Sequence, residues 1–271
     1  MAFLRTLNSE ARWGLGLLAL ILFLGIIVPL LSPYGSVDFI ATPLSPPSLA
    51  HPFGTDQLGR DVFTRTFEAT RLDILLALAG VSAPLLVGTL LGGLFGTTRA
   101  SVLSTLWMML IDAINAFPFI VLVIAIVAAV GTGVQGLLIA LAATNWARYA
   151  KIARARALTL READFIHAAY ILGYSPVRVL IRHVLPNVYS ETLAYGLSDF
   201  VLVIITIAGM SFLGVGVHPP APEWGAMMAD GRLFLRGQPW LTVFPGLILS
   251  LTAIGVALLA QGVMSVVRGE E

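Results

Sequence analysis

Residues 13–31 read WGLGLLALILFLGIIVPLL, an apolar run without a charged side chain. A bilayer core about 30 Å thick is crossed by roughly 20 apolar residues in helical form, because backbone groups find no water partners there. The run is long for the apolar part of a secretory signal peptide, and no small-residue cleavage site follows it. We therefore interpret it as a membrane anchor rather than a cleaved leader.

The composition of the whole chain agrees with a membrane protein. Of its 271 residues, 58% are apolar and 11% are charged, with a mean hydropathy of +0.90. Soluble chains carry about 25% charged residues, so this chain has too few to cover a surface facing water. The absence of cysteine excludes disulfides and thiol catalysis. A net charge of +1 gives no general attraction to nucleic acid.

Five further apolar segments follow the first one. They cover about residues 74–95, 103–130, 136–146, 192–213 and 241–267. The sequence thus predicts an all-α integral membrane protein with six transmembrane helices. Residues 32–52, rich in Pro and Ser, indicate an irregular external loop.

The basic residues predict the orientation of these spans. An N-terminus inside the cell leaves eleven basic residues in internal segments, namely Arg5, Arg12, Arg99, Arg148, Lys151, Arg154, Arg156, Arg161, Arg178, Arg182 and Arg268. Five remain outside, namely Arg60, Arg65, Arg71, Arg232 and Arg236. Basic residues concentrate on the cytoplasmic side, so we expect both termini there.

The internal segment at about residues 147–190 is helical in composition but too charged to span a membrane. Phe165, Ala168, Ala169 and Leu172 recur at helical spacing and predict one apolar face. Gly173 predicts a helix end, and Pro176 suits the first turn of a new helix. From the residues alone, this helix–turn–helix either rests on lipid headgroups or binds another protein.

The same stretch resembles the EAA loop of ABC-importer permeases. The matching residues are His167, Ala168, Ala169, Gly173, Leu185 and Pro186, with His167 where that family usually has Glu. The resemblance implies that this loop, including Phe165, forms a coupling helix that docks on an ATP-hydrolysing subunit. Loss of the carboxylate at residue 167 removes any ion pair that the usual Glu makes.

Other motifs resemble the dipeptide, oligopeptide and nickel permease group. They are FGTDQLGRD at residues 53–61, Asp112–Ala113 with Phe117–Pro118, GMSFLGVG at 209–216, PPAPEWG at 219–225, and Pro245–Gly246. The resemblance implies the type I ABC importer permease fold, and import of small peptides or a nickel or other metal chelate. Glutathione and opine-like conjugates are further possibilities. The C-terminus lacks the Gly-Asp-x-Leu-Arg-Asp tail common in that group.

The resemblance also implies the organisation and the partners of the chain. Residues 1–70 would form an anchor helix with a periplasmic loop, and residues 71–267 the permease core. The expected partners are a second homologous permease subunit, as this chain resembles the second of the pair, two ATP-binding-cassette ATPase subunits, a periplasmic substrate-binding protein and the lipid bilayer. The expected location is the cell inner membrane, which the chain crosses several times.

No residue pattern in the chain supports enzymatic chemistry. A phosphate-binding P-loop needs Lys followed by Ser or Thr after a Gly-rich stretch, and the only lysine, Lys151, lies between Ala150 and Ile152. ATP and Mg²⁺ are therefore expected on partner chains, with no cofactor here. Gly88, Gly92, Gly93 and Gly96 favour close helix packing over a nucleotide loop. No catalytic triad is recognisable.

Polar groups within the apolar segments are candidates for the translocation path, because such groups tend to face a bundle interior or cavity. The candidates are Asp112, Asn115, Phe117, Asp199, Met210 and Ser211, with structural hydrogen bonding as the alternative role for the polar ones. Glu223 and Trp224 are expected on an external loop that faces the binding protein, although Trp224 also suits an interface anchor. A lone His218 favours a solvated loop residue rather than a metal ligand.

A second function class is an ion-coupled secondary carrier. Such carriers need protonatable groups near the middle of the membrane and often contain an inverted repeat. Charges within the apolar segments are few, and no repeat is evident. Co-purification distinguishes the classes, because only a permease should bring ATPase subunits with it.

Overall fold

The computed structural model describes residues 9–39, 41–98 and 102–268. Its helices are α1 (Ser9–Leu31), α2 (Val62–Thr97), α3 (Val102–Ala116), α4 (Phe119–Val130), α5 (Val134–Arg161), α6 (Asp164–Ile171), α7 (Pro176–Val179), α8 (Leu185–Phe212), α9 (Trp224–Gly231) and α10 (Trp240–Arg268). A π-helical turn, Leu180–Val184, joins α7 to α8. These described residues form no β-strand, which confirms the all-α prediction. Arg5 and Arg99, used to predict orientation, lie outside them.

Four helical stretches in the described residues are long and apolar enough to cross a membrane. They are Ser9–Leu31, Val62–Thr97, Pro176–Phe212 and Trp240–Ser265. A fifth candidate is the pair α3 and α4, if the two helices together make one crossing. The predicted span at 136–146 lies inside α5, whose second half carries the basic residues, and α5 is not among these candidates.

The predicted single span at 103–130 is bent by 98° between α3 and α4. α3 ends at Ala116 and α4 begins at Phe119, so the bend falls at Phe117 and Pro118. Proline has no backbone N–H, and it disfavours helical geometry in the residue before it. The sequence predicts one apolar span here, and the structure divides it into two helices.

α2 begins at Val62, about three turns before the predicted start at residue 74. The carboxylate of Asp61 accepts hydrogen bonds from the backbone N–H of Thr64 (2.7 Å) and from its hydroxyl (2.8 Å). This is an N-cap, which satisfies an amide that the first turn leaves without a partner. The 53–61 motif therefore ends in the cap that starts α2. Residues 32–39 and 41–52 are irregular, as predicted.

The chain divides into two compact units. The terminal unit takes residues from 1–78, 127–137 and 197–271, and the central unit consists of residues 79–126 and 138–196. In the terminal unit, α1 packs closely on α10, because a Cβ on Gly14 would lie 2.6 Å from the carbonyl oxygen of Gly255. Phe53 stacks on Phe244 there, with ring centroids 3.9 Å apart.

In the central unit, α2 and α5 pack through small residues. A Cβ on Gly88 would lie 2.5 Å from that of Tyr149, one on Gly92 2.6 Å from that of Ala153, and one on Gly96 2.5 Å from that of Ala157. The matching four-residue steps show that the two helices run parallel along this contact. The prediction that these glycines serve helix packing is confirmed.

Candidate functional site

The turn after α6 is closed by two backbone hydrogen bonds. The N–H of Gly173 donates to the carbonyl of Tyr170 (2.9 Å), and the N–H of Tyr174 donates to the carbonyl of Ala169 (3.1 Å). This pair of bonds is a Schellman motif, with Gly173 at the left-handed position, φ +81°. The predicted helix end at Gly173 is confirmed.

The next helix begins as predicted at Pro176. The side chain of Ser175 accepts a bond from the backbone N–H of Arg178, and Pro176 occupies the first turn, where its missing N–H costs nothing. A sharp reversal between α6 and α7 is therefore encoded within residues 173–176.

α6 divides its apolar residues between two faces. Ile166 and Ala169 are buried and pack in a cluster with the small residues of α5. Phe165 is 46% exposed and Leu172 is 74% exposed, and Ala168 is also exposed. The prediction of a single face holding all four residues is wrong for Ala169, because Ile166 and Ala169 anchor the helix to its own unit. We call Phe165 and Ala168 of α6, together with Leu172 directly after its last residue, the outward stripe.

The remaining candidate coupling residues lie before and after this turn. The side chain of His167 is exposed. Leu185 packs toward Gly93 of α2, and Pro186 is exposed. Leu185 and Pro186 also line an apolar groove of about 250 Å³ in the central unit.

The candidate path residues near the α3–α4 bend form one polar region of the central unit. The Asp112 carboxylate accepts a charged hydrogen bond from Lys151 Nζ of α5, at 2.9 Å. Asn115 Nδ2 donates to the carbonyl of Ile111 (2.8 Å), and Phe117 is 59% exposed at the bend. Asp112 thus joins two helices, which is the structural alternative foreseen for it.

The sequence-based list omitted Arg148 on α5, which lies in the same region. Its guanidinium carbon stands 4.7 Å from the centroid of the Phe119 ring. It lines a cavity of about 60 Å³ with Asn115, Phe117 and Thr144 among others. The sequence analysis used Arg148 only as one of the eleven internal basic residues that predict the orientation of the spans. Its place opposite Asn115 depends on the register between α3 and α5, which spacing along one chain does not reveal.

The candidates Asp199, Met210 and Ser211 are buried inside the terminal unit, with exposures of 1%, 2% and 2%. The loop after α8 folds back on the helix end, where the backbone N–H of Val215 donates to Met210 O (3.0 Å) and that of Val217 to Ser211 Oγ (3.0 Å). These contacts form the turn of the 209–216 motif. The structure therefore does not present the three side chains on a surface that could line a path.

Glu223 and Trp224 are fully buried, with 0% exposure. Trp224 Nε1 donates to the carbonyl of Thr66 (2.8 Å), and Glu223 caps α9 by accepting from the N–H of Ala226 (2.7 Å). The expectation that these side chains face a binding protein or the membrane interface is corrected. They fasten α9 inside the terminal unit, where Gly225 allows backbone contact with Ala208.

Asp73 of α2 is a buried partner that sequence reasoning missed. Its Oδ2 accepts from the backbone N–H of Trp224 (3.1 Å), and its carboxyl group lies against that of Glu223. Burial raises the pKa of Glu223 above its ordinary value, against hydrogen bonds that lower it, including one from Ser211. The signal was a carboxylate immediately before the apolar run at Ile74.

The exposed His218 places Nε2 3.2 Å from Thr132 Oγ1. Within residues 9–39, 41–98 and 102–268, no group of three or more His, Asp or Glu side chains is arranged to hold a metal ion.

Comparison with protein families gives a match over residues 88–268 to the binding-protein-dependent transport system inner membrane component. A dipeptide transport system permease protein of Alkalihalophilus pseudofirmus is 35% identical over 260 residues, covering 94% of this chain and 84% of the relative. An oligopeptide transport system permease protein of Bacillus subtilis is 32% identical over 259 residues, with 94% and 84% covered. A glutathione transport system permease protein of Pectobacterium atrosepticum is 35% identical, covering 80% of this chain and 71% of the relative.

Solved structures share the fold. A chain of the MetNI methionine ABC transporter, in an inward-facing conformation, superimposes with a TM-score of 0.57 at 15% identity, covering 76% of this chain and 96% of that one. A chain of an amino acid ABC transporter with histidines gives a TM-score of 0.55 at 16% identity, with 76% and 94% covered.

Proposed function

Because the chain belongs to the family of binding-protein-dependent transport system inner membrane components, we propose that it is a permease subunit of an ATP-driven importer of small peptides. The substrate class follows the relatives, whose names refer to dipeptides, oligopeptides and glutathione. A nickel or other metal chelate, the second class considered, has no support from those names.

The outward stripe on α6 carries the proposed mechanism. It is apolar and exposed, although the rest of the helix is anchored by Ile166 and Ala169. Exposed apolar patches of this kind mark protein contacts. We assign the stripe to a groove on an ATP-binding-cassette subunit, with His167 at its edge. ATP and Mg²⁺ act on that partner, because Lys151 is paired with Asp112 and lies in no P-loop.

Transport then requires two states of the complex. The ATPase subunits close on ATP and open after hydrolysis, and α6 must bind the two states with different free energies to transmit the change. The Schellman turn at Gly173 and the small-residue packing of α6 give the helix a fixed position from which force reaches α5. A second homologous permease subunit would complete the translocation path.

The proposed topology has six crossings in the cell inner membrane, with both termini inside. The four long stretches contribute one crossing each, and the bent pair α3–α4 and the first half of α5 contribute the other two. The exposed segment at His218–Pro220 then lies outside, where a periplasmic binding protein would deliver the peptide. The buried side chains of Glu223 and Trp224 fix the position of the chain directly after this segment.

A co-purification experiment tests the proposal. The tagged chain, expressed with its cognate subunits, should bring ATPase subunits through detergent extraction, whereas an ion-coupled carrier should not. Leu172→Asp places a charge in the stripe and should lower ATPase recovery about tenfold or more, since burying a leucine contributes about 1.5–3 kcal/mol and burying a charge is costly.

The matched control is Leu233→Asp, which changes a leucine that is 83% exposed in the terminal unit. It should leave ATPase recovery unchanged. Equal recovery with both variants would contradict the assignment of α6, and no ATPase with the unaltered chain would contradict the importer itself.

A further inference from the structure

Arg148 carries a charge that no carboxylate of the described residues balances. The ion pairs of the central unit join Lys151 to Asp112, Arg156 to Glu191, and Arg161 to Glu162. Arg148 is half-buried and takes part in none of them. Arg148 lies where the apolar first half of α5 ends, and a half-buried cation at such a place is costly unless it meets an anion or faces a polar cavity.

The neighbouring ion pair shows why this arginine lacks a partner. Asp112 faces Lys151 across α3 and α5 at 2.9 Å. One turn further on α3 and one turn back on α5, Asn115 and Arg148 line the same cavity. The antiparallel register therefore sets a carboxylate opposite the lysine but only a neutral amide opposite the arginine. The second position has a cation and room beside it.

The cavity has the size and the donors for a carboxylate. Its volume of about 60 Å³ exceeds the 10–15 Å³ that a single water requires. Asn115 Nδ2 uses one hydrogen on Ile111 O (2.8 Å) and has a second to donate. The hydroxyl of Thr144 donates to Ala140 O (2.8 Å), so it offers no donor to an anion.

We propose that Arg148, with Asn115, binds the terminal carboxylate of the transported peptide on its way through the permease. A guanidinium pairs with a carboxylate through two parallel N–H bonds. The Phe119 ring, whose centroid lies 4.7 Å from the guanidinium carbon, helps to hold Arg148 at this position. Phe117 at the bend offers an apolar wall to the peptide's last side chain. This inference rests on the proposed function and adds the chemical group that the path recognises.

The competing anion is a lipid phosphate at the membrane surface. A phosphodiester carries two ester chains, whereas a small cavity walled by two aromatic rings suits one planar carboxylate. The lipid source therefore becomes an arm of the experiment.

The experiment uses the complete importer in vesicles, with loaded binding protein outside and ATP on the side of the ATPase subunits. Binding-protein occupancy is matched for a dipeptide and for its C-terminal amide. Arg148→Gln should lower dipeptide uptake at limiting peptide about tenfold and leave amide uptake as in the unaltered importer. Arg148→Lys should retain part of the dipeptide uptake, because it keeps the charge. Arg71→Gln, at an exposed arginine of α2, is the matched control and should change neither rate.

Three results would overturn the inference. Dipeptide uptake by Arg148→Gln equal to that of Arg71→Gln shows that the charge is not used, and leaves the importer function intact. A defect of equal size for both peptides, present with phosphatidylglycerol but absent with phosphatidylcholine alone, assigns Arg148 to lipid. If the unaltered importer takes up neither peptide, the proposed function fails, and the inference fails with it.

Discussion

At the scale of single residues, Glu223 forms a buried acidic contact that sets a pH dependence. Burial raises the pKa of Glu223 above its ordinary value of 4.5. A carboxyl group with a raised pKa stabilises the folded state below the unfolded pKa, and this contribution is lost as pH rises through the folded pKa. The thermal stability of the purified protein should therefore decrease as pH rises from about 5 toward 8.

Glu223→Gln tests this dependence directly. The amide can still accept from Ala226 N and can donate to Asp73, so the cap remains while the titrating group is removed. We expect a melting temperature at pH 8 that equals or exceeds that of the unaltered protein, with a flatter pH profile measured in detergent. Glu162→Gln, at an exposed carboxylate, is the control. An unchanged pH profile in Glu223→Gln would show that the pH dependence does not come from Glu223.

Gly173 is a second residue whose role is set by its backbone. Its φ of +81° suits glycine, and a side chain there would meet open space. Gly173→Val should therefore cost about 1–2 kcal/mol locally and should loosen the α6–α7 turn without blocking insertion. Uptake by reconstituted vesicles should fall strongly, whereas Gly209→Val, at a helical glycine with equal space, should retain more of it. Full uptake by Gly173→Val would refute its role in coupling.

At this scale the sequence predicted the local backbone conformation, but it did not predict which side chains are buried. The turn at Gly173 followed from local rules, because glycine and proline constrain their own backbone. The burial of Glu223 and Trp224 did not follow, because it depends on Asp73 and Thr66 about 150 residues earlier in the chain. A Pro-rich segment before them favours a surface loop, and the packing beneath it decides otherwise.

At the scale of helices, the contact of α2 with α5 is the most demanding one in the central unit. Gly92→Leu would drive a side chain into Ala150 and Ala153, whose backbone and Cβ atoms cannot move aside. Overpacking of this kind costs about 1–3 kcal/mol or more. The melting temperature should fall by several degrees, whereas Gly16→Leu, which meets nothing within 4 Å, should leave it unchanged. Equal melting temperatures would contradict the close packing.

Helix ends and bends were predictable only where a local signal exists. Pro118 was visible, but a proline can kink a helix slightly or break it, and the 98° angle depends on what packs against both halves. The early start of α2 was hidden because its first three turns contain polar residues, which a search for apolar runs excludes. Hydrophobic periodicity and mean hydropathy locate the part of a helix that lies in the membrane, and they miss its polar ends.

At the scale of the whole molecule, the sequence was sufficient for class and family. The apolar runs predicted an all-α membrane protein, and the ordered motifs from residue 53 to 246 predicted the permease family, which the match over residues 88–268 confirms. Arg148 and Asp73 were missed because the surroundings of each come from distant parts of the chain. Asn115 and Phe119 lie beside Arg148, and Glu223 and Trp224 lie beside Asp73. The proposed substrate class follows the names of the relatives, because no residue pattern in the chain specifies a substrate.

Uptake by the reconstituted importer tests the central claim most directly. Vesicles that contain this chain, its homologous permease subunit and the ATPase subunits should accumulate a labelled small peptide when ATP and the loaded binding protein are present. Removing ATP or the binding protein should abolish accumulation. Uptake that persists without ATP and follows an imposed ion gradient instead would contradict the account.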